Sequence, residues 1–293
     1  MPRPDPPPSP RPAPPPPWRG LLVRAHDAPG VTLVVRAEGL GDGVLGVAGE
    51  LARLAGGPEK IAFYGEAPDG GLRYRFVQAM PGGGFDFRAG CGHSLLACVV
   101  AYGAPGPVTV RSLTTGDTVL CEPEPGRGAH TLHFLRAPDA PGTLPTGRPR
   151  DRLLGVPASL VSYGNPYVFV DARHARTRPH LLALRAEAAR LLGHPPGSAL
   201  PKIAAVGEAP DGGLSVRALT VGGWHPRLAL TGAAALAAAG ALEGTVVPPV
   251  RGPVRTPGGT VTVSAGPDRV SVHHKRATVT GTWELPWRIH AKA

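Results

Sequence analysis

Aromatic residues are scarce in this chain of 293 residues, at 5% of the sequence, although hydrophobic residues together reach 42%. A core of this composition has to be built mainly from valine, leucine and alanine side chains. Long apolar runs are missing as well, and no stretch approaches the length of about 18 apolar residues that marks a transmembrane helix. The sequence therefore predicts a sizeable core, room for two domains and no membrane partner.

Cysteine is also rare, with 3 residues at unpatterned positions. An odd number without regular spacing argues against a disulfide framework and favours a reducing compartment, so we expect a cytoplasmic protein. The chain has no Cys-x-x-Cys pair, no His-Glu-x-x-His helix and no glycine-rich nucleotide loop. We therefore predict neither a metal site nor a cofactor.

Acidic residues are outnumbered, with 21 Asp and Glu against 31 Lys and Arg and a net charge of +10. The arginines are scattered and form no basic stripe with interleaved aromatics, which argues against a nucleic-acid partner. A small anionic substrate, such as a carboxylate, fits this charge balance. Prolines, by contrast, are abundant at the start of the chain. Residues 1–18 have no apolar period and predict a disordered, proline-rich tail.

An internal repeat organises the rest of the sequence. "KIAFYGEAPDGGLRYRFV" at 60–77 and "KIAAVGEAPDGGLSVRAL" at 202–219 are identical at 12 of 18 positions, at an offset of 142. Each copy is followed by a small-residue helix pattern and then by strand, glycine-containing turn and strand. We therefore predict an N-terminal domain over 19–150 and a C-terminal domain over 151–293, built on one plan.

Each half should be an α+β unit. The Asp-Gly-Gly turns predict hairpins, because glycine accepts a positive φ. The two small-residue helices are apolar nearly all round, which is typical of buried helices. The expected fold is two pseudo-symmetric domains, each a curved sheet or barrel around a central buried helix. Residues 178–193 predict a further, amphipathic helix.

The starts of the two buried helices are candidate anion sites. "Cys-Gly" opens one at Cys91 and Gly92, and "Thr-Gly" opens the other at Thr231 and Gly232. The first N–H groups of a helix lack helical partners and carry a partial positive charge. If the two halves face each other, both helix starts point at one cleft, where they would stabilise a carboxylate or an enolate.

Cys91 at such a helix start is a candidate proton donor or acceptor, since this position favours a thiolate. A small buried side chain is the alternative, and it is our expectation for Cys98 and Cys121. Lys60 enters an apolar strand, where loss of solvent can make an amine a base; a strand-edge lysine reaching water is the alternative. Lys202 occupies the matching position of the second copy.

The residues after Cys91 and a turn in the second half complete the candidate set. His93 either binds the anion or caps the helix, and Ser94 is a candidate substrate-binding residue beside it. Asn165, in "YGNP", is either a substrate-binding residue or a turn residue with no other role.

Several ordered segments resemble the PrpF-like family of methylaconitate isomerases and oxalomesaconate tautomerases, within the diaminopimelate epimerase fold. "GCGHSLLACVVA" looks like the family's "NCGNxSAAVGPFA". "SLVSYGNPYVFVDA" is similar to "LVDAGNPxVFV", "PKIAAV" to "PKIAFV", and "LTVGGWHPRLALTGAAA" to "LSMGxxHxAxTGTGA". The resemblance spans about residues 20–287. It implies cofactor-independent proton transfer that moves a double bond of, or tautomerises, an unsaturated di- or tricarboxylate, with Lys60 and Cys91 as the catalytic residues.

The resemblance also has departures. The family's "MRGGTSKG" is here "VRAHDAPG" at 23–30, which keeps Arg24 as a candidate substrate-binding residue but loses the hydroxyl groups and the lysine. Cys-Gly-His is also similar to proline racemases and PhzF proteins. A racemase would place a second cysteine where this chain has Thr231, so a two-base racemase is not expected.

The leading hypothesis is a cofactor-independent isomerase that shifts a double bond or tautomerises a carboxylate or carbonyl compound. A dehydratase or lyase using Cys91 with Thr231 is one alternative. A weakly active or inactive accessory or binding protein is the other. For the oligomeric state, a homodimer is one expectation.

Overall fold

A computed structural model describes residues 18–285 except 38–39, 42, 55–57, 81–82, 176, 196 and 221–222. The predicted proline-rich tail lies outside the described residues apart from Trp18, with which the first strand begins. No helix in the described ranges is long and apolar enough to span a membrane.

Within the described part of the chain, strands predominate over helices. In chain order the strands are β1 (Trp18–Ala25), β2 (Thr32–Arg36), β3 (Lys60–Glu66), β4 (Leu72–Ala79), β5 (Phe85–Asp86), β6 (Val108–Ser112), β7 (Thr118–Glu124), β8 (Ala129–Phe134), β9 (Asp151–Leu153), β10 (Val156–Tyr163), β11 (Asn165–Asp171), β12 (Lys202–Glu208), β13 (Leu214–Thr220), β14 (Gly223–Trp224), β15 (Val254–Thr256), β16 (Gly259–Val261), β17 (Val263–Ala265), β18 (Val270–Lys275) and β19 (Ala277–Leu285). The helices are α1 (Gly43–Leu54), α2 (Gly92–Tyr102), α3 (Arg178–Leu191) and α4 (Leu230–Ala241), with a short 3-10 helix at Ala172–His174.

The strands form two sheets. The first has the order β17-β18-β8-β7-β6-β4-β3-β2-β1-β19, with β5 beside β4. The second has the order β16-β15-β13-β12-β11-β10-β9, with β14 beside β13. Three strands from the C-terminal range, β17, β18 and β19, therefore complete the sheet of the N-terminal half.

The sequence repeat appears as repeated strand pairing. β3 is parallel to β2 and antiparallel to β4, and β12 is parallel to β11 and antiparallel to β13. The hairpins turn at equivalent glycines, Gly70 at φ +83° and Gly212 at φ +77°, as their Asp-Gly-Gly sequences predict. The lysine that opens each copy therefore starts an equivalent strand.

Each half encloses one buried helix. α2 packs against β1, β2, β3, β4 and β19. α4 packs against β10, β11, β17 and β18. Residues 92–99 of α2 and 230–239 of α4 are all buried, and apart from His93 their side chains are apolar or small, as expected of buried helices. The predicted α+β architecture with central buried helices is confirmed.

The outer faces of the sheets are covered by the other two helices. Leu51 of α1 and Phe63 of β3 belong to one cluster of buried apolar side chains, and Leu184 of α3 and Val168 of β11 belong to another. α3 matches the amphipathic helix predicted at 178–193, and its N-cap hydroxyl, from Thr177, accepts the backbone N–H of His180 at 3.3 Å. These layers hold the first residues of β3 and β12 near the starts of α2 and α4.

Candidate active site

A cavity of about 210 Å³ lies between the two halves, at the starts of α2 and α4. Its walls carry two lysines, two histidines and a cysteine, together with further polar and apolar groups. The lining residues are Pro29, Glu59, Lys60, Phe76, Gln78, Ala89, Cys91, His93, Ala199, Lys202, Thr220, Trp224, His225 and Ala229.

Lys60 and Lys202 enter the cavity from equivalent positions, because each is the first residue of its strand. In the register of the parallel pairs, Lys60 lies opposite Thr32 and Lys202 opposite Tyr167. Lys60 is 8% exposed, and its Nζ donates a hydrogen bond to the carbonyl oxygen of Pro29. The repeat thus supplies two amines to one cavity.

The surroundings of Lys202 lower the pKa of its amine. Burial lowers the pKa of the Lys202 amine, the Cys91 sulfur raises it, and the charge of Lys60 lowers it further. A buried amine of this kind gives up its proton more readily than an exposed lysine does. Both amines line the cavity, where they can donate hydrogen bonds to an anion.

Cys91 is the N-cap residue of α2 and is partly exposed to the cavity. Its backbone is extended, at φ −139° and ψ 104°, and its carbonyl oxygen accepts hydrogen bonds from Leu95 N–H at 2.9 Å and the Tyr74 hydroxyl at 3.0 Å. The backbone is thereby held from two sides, and the thiol stands at the positive end of the helix dipole. Cys98 and Cys121 are fully buried, as predicted.

His93 and His225 form a stacked pair in the cavity wall, with ring centroids 6.2 Å apart. Burial lowers the pKa of His93 well below its usual range, and the charge of Lys275 adds to this effect. Burial and the charges of Lys202 and Lys60 lower the pKa of His225 to about 4. Both rings are therefore neutral near pH 7.

The hydrogen bonds of this pair indicate what the rings offer a ligand. The backbone N–H of Arg227 donates to His225 Nδ1 at 3.2 Å, so the neutral ring carries its proton on Nε2. His93 Nε2 is buried and has no hydrogen-bond partner among the described residues. Buried polar atoms are normally paired, so this unpaired nitrogen in the residue that lines the cavity is an exception to that rule.

The start of α4 also reaches the cavity, through its N-cap residue Ala229. The two helix starts touch each other: a Cβ placed on Gly92 would lie 2.5 Å from Leu230 Cδ2. α4 begins at Leu230, so Thr231 and Gly232 lie inside its first turn. Two helix N-termini thus flank one cavity, and the contact between them depends on the missing side chain at Gly92.

The other predicted substrate-binding residues lie away from the cavity. Arg24 is exposed on β1. Ser94 is fully buried, and its Oγ is 3.0 Å from Thr32 Oγ1, which fastens α2 to β2. A Cβ at Gly232 would lie 2.5 Å from the hydroxyl oxygen of Tyr167, so Gly232 permits a close contact between α4 and β11.

Asn165 and Thr231 form a hydrogen-bonded group next to Gly90, the residue before Cys91. The Asn165 amide accepts the backbone N–H of Gly90 at 2.8 Å and donates to the Gly90 carbonyl oxygen at 2.7 Å. Its Nδ2 also lies 3.1 Å from Thr231 Oγ1. Thr231 and Cys91 both line a separate small cavity of about 20 Å³. Asn165 therefore holds the residue before Cys91 from the second half.

Sequence reasoning missed several cavity residues. His225 stands within a segment that resembles the family, and Lys202 was identified only as the repeat mate of Lys60. The offset of 142 was the signal that could have assigned Lys202 to the site, because equivalent positions of a duplicated fold meet at the interface. Trp224 and Gln78 carried no comparable signal.

The chemistry available in this cavity is proton transfer next to an anion. A thiol and two amines can exchange protons with a substrate carbon, and two helix starts and two neutral imidazoles can stabilise negative charge on oxygen. Among the described residues, no group of three or more histidine, cysteine, aspartate or glutamate side chains is arranged to hold a metal ion.

No protein-family model and no curated protein sequence matches this chain. Solved structures do match over nearly its full length. A methylitaconate-delta-isomerase is 18% identical, with 92% of this chain and 95% of that chain covered and a TM-score of 0.64. A hydroxyproline epimerase from Agrobacterium vitis, with bound trans-4-hydroxy-L-proline, is 16% identical, with 91% and 92% covered and a TM-score of 0.59.

A phenazine biosynthesis protein of the PhzF family from Enterococcus faecalis is similar as well, at 15% identity and a TM-score of 0.53, with 92% of this chain and 100% of that chain covered. At these identities the similarity is one of fold. It confirms the fold expected from the sequence motifs. The chain has the diaminopimelate epimerase-like fold.

Proposed function

We propose that this protein is a cofactor-independent isomerase that moves a proton between two positions of an unsaturated carboxylate or carbonyl compound. The observation that carries this proposal is the cavity itself, which brings the Cys91 thiol and the Lys60 amine together above two helix N-termini. The names of two structural neighbours, a methylitaconate-delta-isomerase and a hydroxyproline epimerase, agree with it.

In the proposed reaction, Cys91 or Lys60 removes a proton from the carbon next to the carboxylate or carbonyl group. The negative charge that develops on the substrate oxygen is stabilised by the N–H groups at the helix starts and by hydrogen bonds from the cavity side chains. The other residue of the pair then returns a proton to a different carbon. The cavity of about 210 Å³ limits the reacting part of the substrate to a small molecule.

The pair Cys91 and Lys60 is preferred to Cys91 and Thr231, which a dehydratase would need. Thr231 Oγ1 lies 3.1 Å from Asn165 Nδ2, and Thr231 does not line the cavity that contains the amines. Two amines also suit an anionic substrate, since each can pair with a carboxylate oxygen.

Exchange of solvent deuterium into a panel of small unsaturated carboxylates and carbonyl compounds tests the proposal. We expect the wild-type protein to exchange the hydrogen at a carbon next to the carbonyl, followed by mass spectrometry. Cys91→Ser and Lys60→Ala should each lower the rate by about 10²- to 10⁴-fold, the usual contribution of a general acid or base.

Cys98→Ala is the matched control, because Cys98 lies on the same helix but points into the core. It should keep the exchange rate if it stays folded. Exchange that survives both Cys91→Ser and Lys60→Ala would contradict the assignment of these residues.

A further inference from the structure

Asp27, in the loop between β1 and β2, joins three segments around the cavity. Its Oδ2 accepts a hydrogen bond from Lys275 Nζ at 2.7 Å, and its Oδ1 lies 2.9 Å from Arg227 Nη1. The Asp27 side chain is 12% exposed and that of Lys275 only 3%. The Asp27–Lys275 pair is therefore largely removed from water, whereas the Arg227 side chain is 36% exposed. Removing one member of a buried ion pair leaves the other charge without compensation.

The partners of Asp27 come from other parts of the fold. Lys275 is the last residue of β18, which belongs to the C-terminal range of the chain. Arg227 lies two residues after His225, and its backbone N–H donates to the His225 ring. Asp27 thus attaches the loop to β18 and to the segment that leads into α4.

The same loop contacts Lys60. Two residues after Asp27, the carbonyl oxygen of Pro29 accepts the hydrogen bond from Lys60 Nζ, and Pro29 itself lines the cavity. The chain turns tightly from Ala25 to Ala28, where the Ala28 N–H donates to the Ala25 carbonyl oxygen at 3.1 Å. The position of the Pro29 carbonyl, and with it that of the Lys60 amine, depends on where the loop is held.

We propose that Asp27 is a positioning residue, which holds the loop of residues 26–30 against Lys275 and Arg227 and thereby sets the position of the Lys60 amine in the cavity. Its catalytic consequence rests on the proposed function; its structural consequence does not. The Asp27 carboxylate binds two cations of the protein, one through each oxygen. The loop is therefore fastened by ion pairs within the protein.

Chemical labelling of the two cavity lysines tests this proposal without any substrate. The protein is treated briefly with acetic anhydride at one fixed pH, and acetylation of Lys60 and Lys202 is quantified by mass spectrometry of proteolytic peptides. Lys202 is the internal reference, because it lines the same cavity but opens a strand of the other half. General unfolding would raise both labels together, whereas a released loop raises Lys60 alone.

In Asp27→Asn we expect the ratio of Lys60 to Lys202 acetylation to rise about tenfold, the scale of one lost charge-assisted interaction. A second comparison uses Lys275→Met as the starting protein and adds Asp27→Asn to it. It measures the same labelling ratio, and no buried ammonium of Lys275 is left unpaired. Asp211→Asn is the matched control, since it removes an exposed ion pair with Arg255 on another part of the surface.

An unchanged ratio in both comparisons, or an equal rise of both labels, overturns the proposal. Once a substrate is known, kcat of Asp27→Asn should fall about tenfold with KM changed much less, because the displaced group acts on the reaction rather than on binding. A raised labelling ratio with unchanged kcat would overturn the catalytic part. Absence of turnover in the wild-type protein would instead count against the proposed function and leave the labelling result to decide this inference.

Discussion

His225 and His93 differ from surface histidines because their protonation is opposed by their surroundings. The two residues are only 5% and 4% exposed, and the charges of Lys60 and Lys202 act on both rings. A neutral imidazole can donate or accept a hydrogen bond without adding a further positive charge to a cavity that already holds two amines. Burial is the largest cause of the lowered pKa values of these two histidines, and burial of a histidine could not be predicted from the sequence alone.

Because burial opposes protonation of His225, the free energy of unfolding should fall as the solution becomes more acidic. The pKa of His225 is about 4 in the folded protein and about 6.5 when unfolded, so between these values the unfolded chain binds the extra proton. The free energy of unfolding should therefore decrease as the pH falls from 6.5 to 4, by about 3 kcal/mol from His225 alone. Urea denaturation at a series of pH values measures this slope.

His225→Gln should flatten the slope over that range, whereas His180→Gln, at the start of α3 and outside the cavity, should leave it as in the wild-type protein. An equally steep slope in His225→Gln would mean that the acid sensitivity arises elsewhere in the chain.

At the scale of elements, the two buried helices meet end to end at the cavity. Sequence patterns predicted that a Cys-Gly pair opens α2, and α2 does begin at Gly92. The predicted start of the second helix, Thr231, lies one residue after the observed start at Leu230, whose side chain contacts Gly92. The residue pattern of one helix does not show which side chain of another helix will lie against it. The contact between Gly92 and Leu230 therefore could not be predicted from the sequence.

Gly92→Ala tests that contact. The added Cβ would lie 2.5 Å from Leu230 Cδ2 and 2.9 Å from its Cβ, so one helix start must shift. We expect a loss of about 1–3 kcal/mol in the free energy of unfolding, the usual cost of overpacking, together with lower activity because Cys91 moves. Chemical denaturation measures the stability.

Gly46→Ala in α1 is the matched control, since a Cβ there would meet nothing within 4 Å and alanine favours helix. Leu230→Ala removes two of the side-chain atoms that the new Cβ would meet. Gly92→Ala should therefore cost less stability when it is added to Leu230→Ala than when it is added to the wild-type protein. A neutral Gly92→Ala would show that the helix starts are farther apart than described.

For the whole molecule, the interface between the halves carries both the cavity and the contacts that stabilise it. The repeat predicted the paired halves and their hairpins, because both copies carry the same turn sequence. It did not predict that β17, β18 and β19 return to the first sheet, since the pairing of these strands depends on partners far away in sequence. For the same reason Lys275 and Asp27 could not be identified as neighbours.

Asn165→Ala should separate the halves locally. The Asn165 side chain is fully buried, bonds both the N–H and the carbonyl of Gly90, and contacts Thr231. We expect a loss of about 2–4 kcal/mol in the free energy of unfolding, since the substitution removes these bonds and leaves buried backbone groups unpaired. Thermal and urea denaturation measure it.

Thr256→Ala is the control for this substitution. It removes one exposed hydrogen bond, from the Thr256 hydroxyl to the Gly259 carbonyl oxygen, and should change stability little. A near-neutral Asn165→Ala would mean that the halves are held together mainly by apolar packing.

The pairing of β1 with β19 places Trp18 directly opposite Leu285. The two ends of the described segment therefore lie side by side. The chain passes from the second sheet back to the first between β16 and β17. A circularly permuted protein that starts at Val263 and joins 285 to 18 by a short linker would therefore build the first sheet from one continuous segment and the second from another.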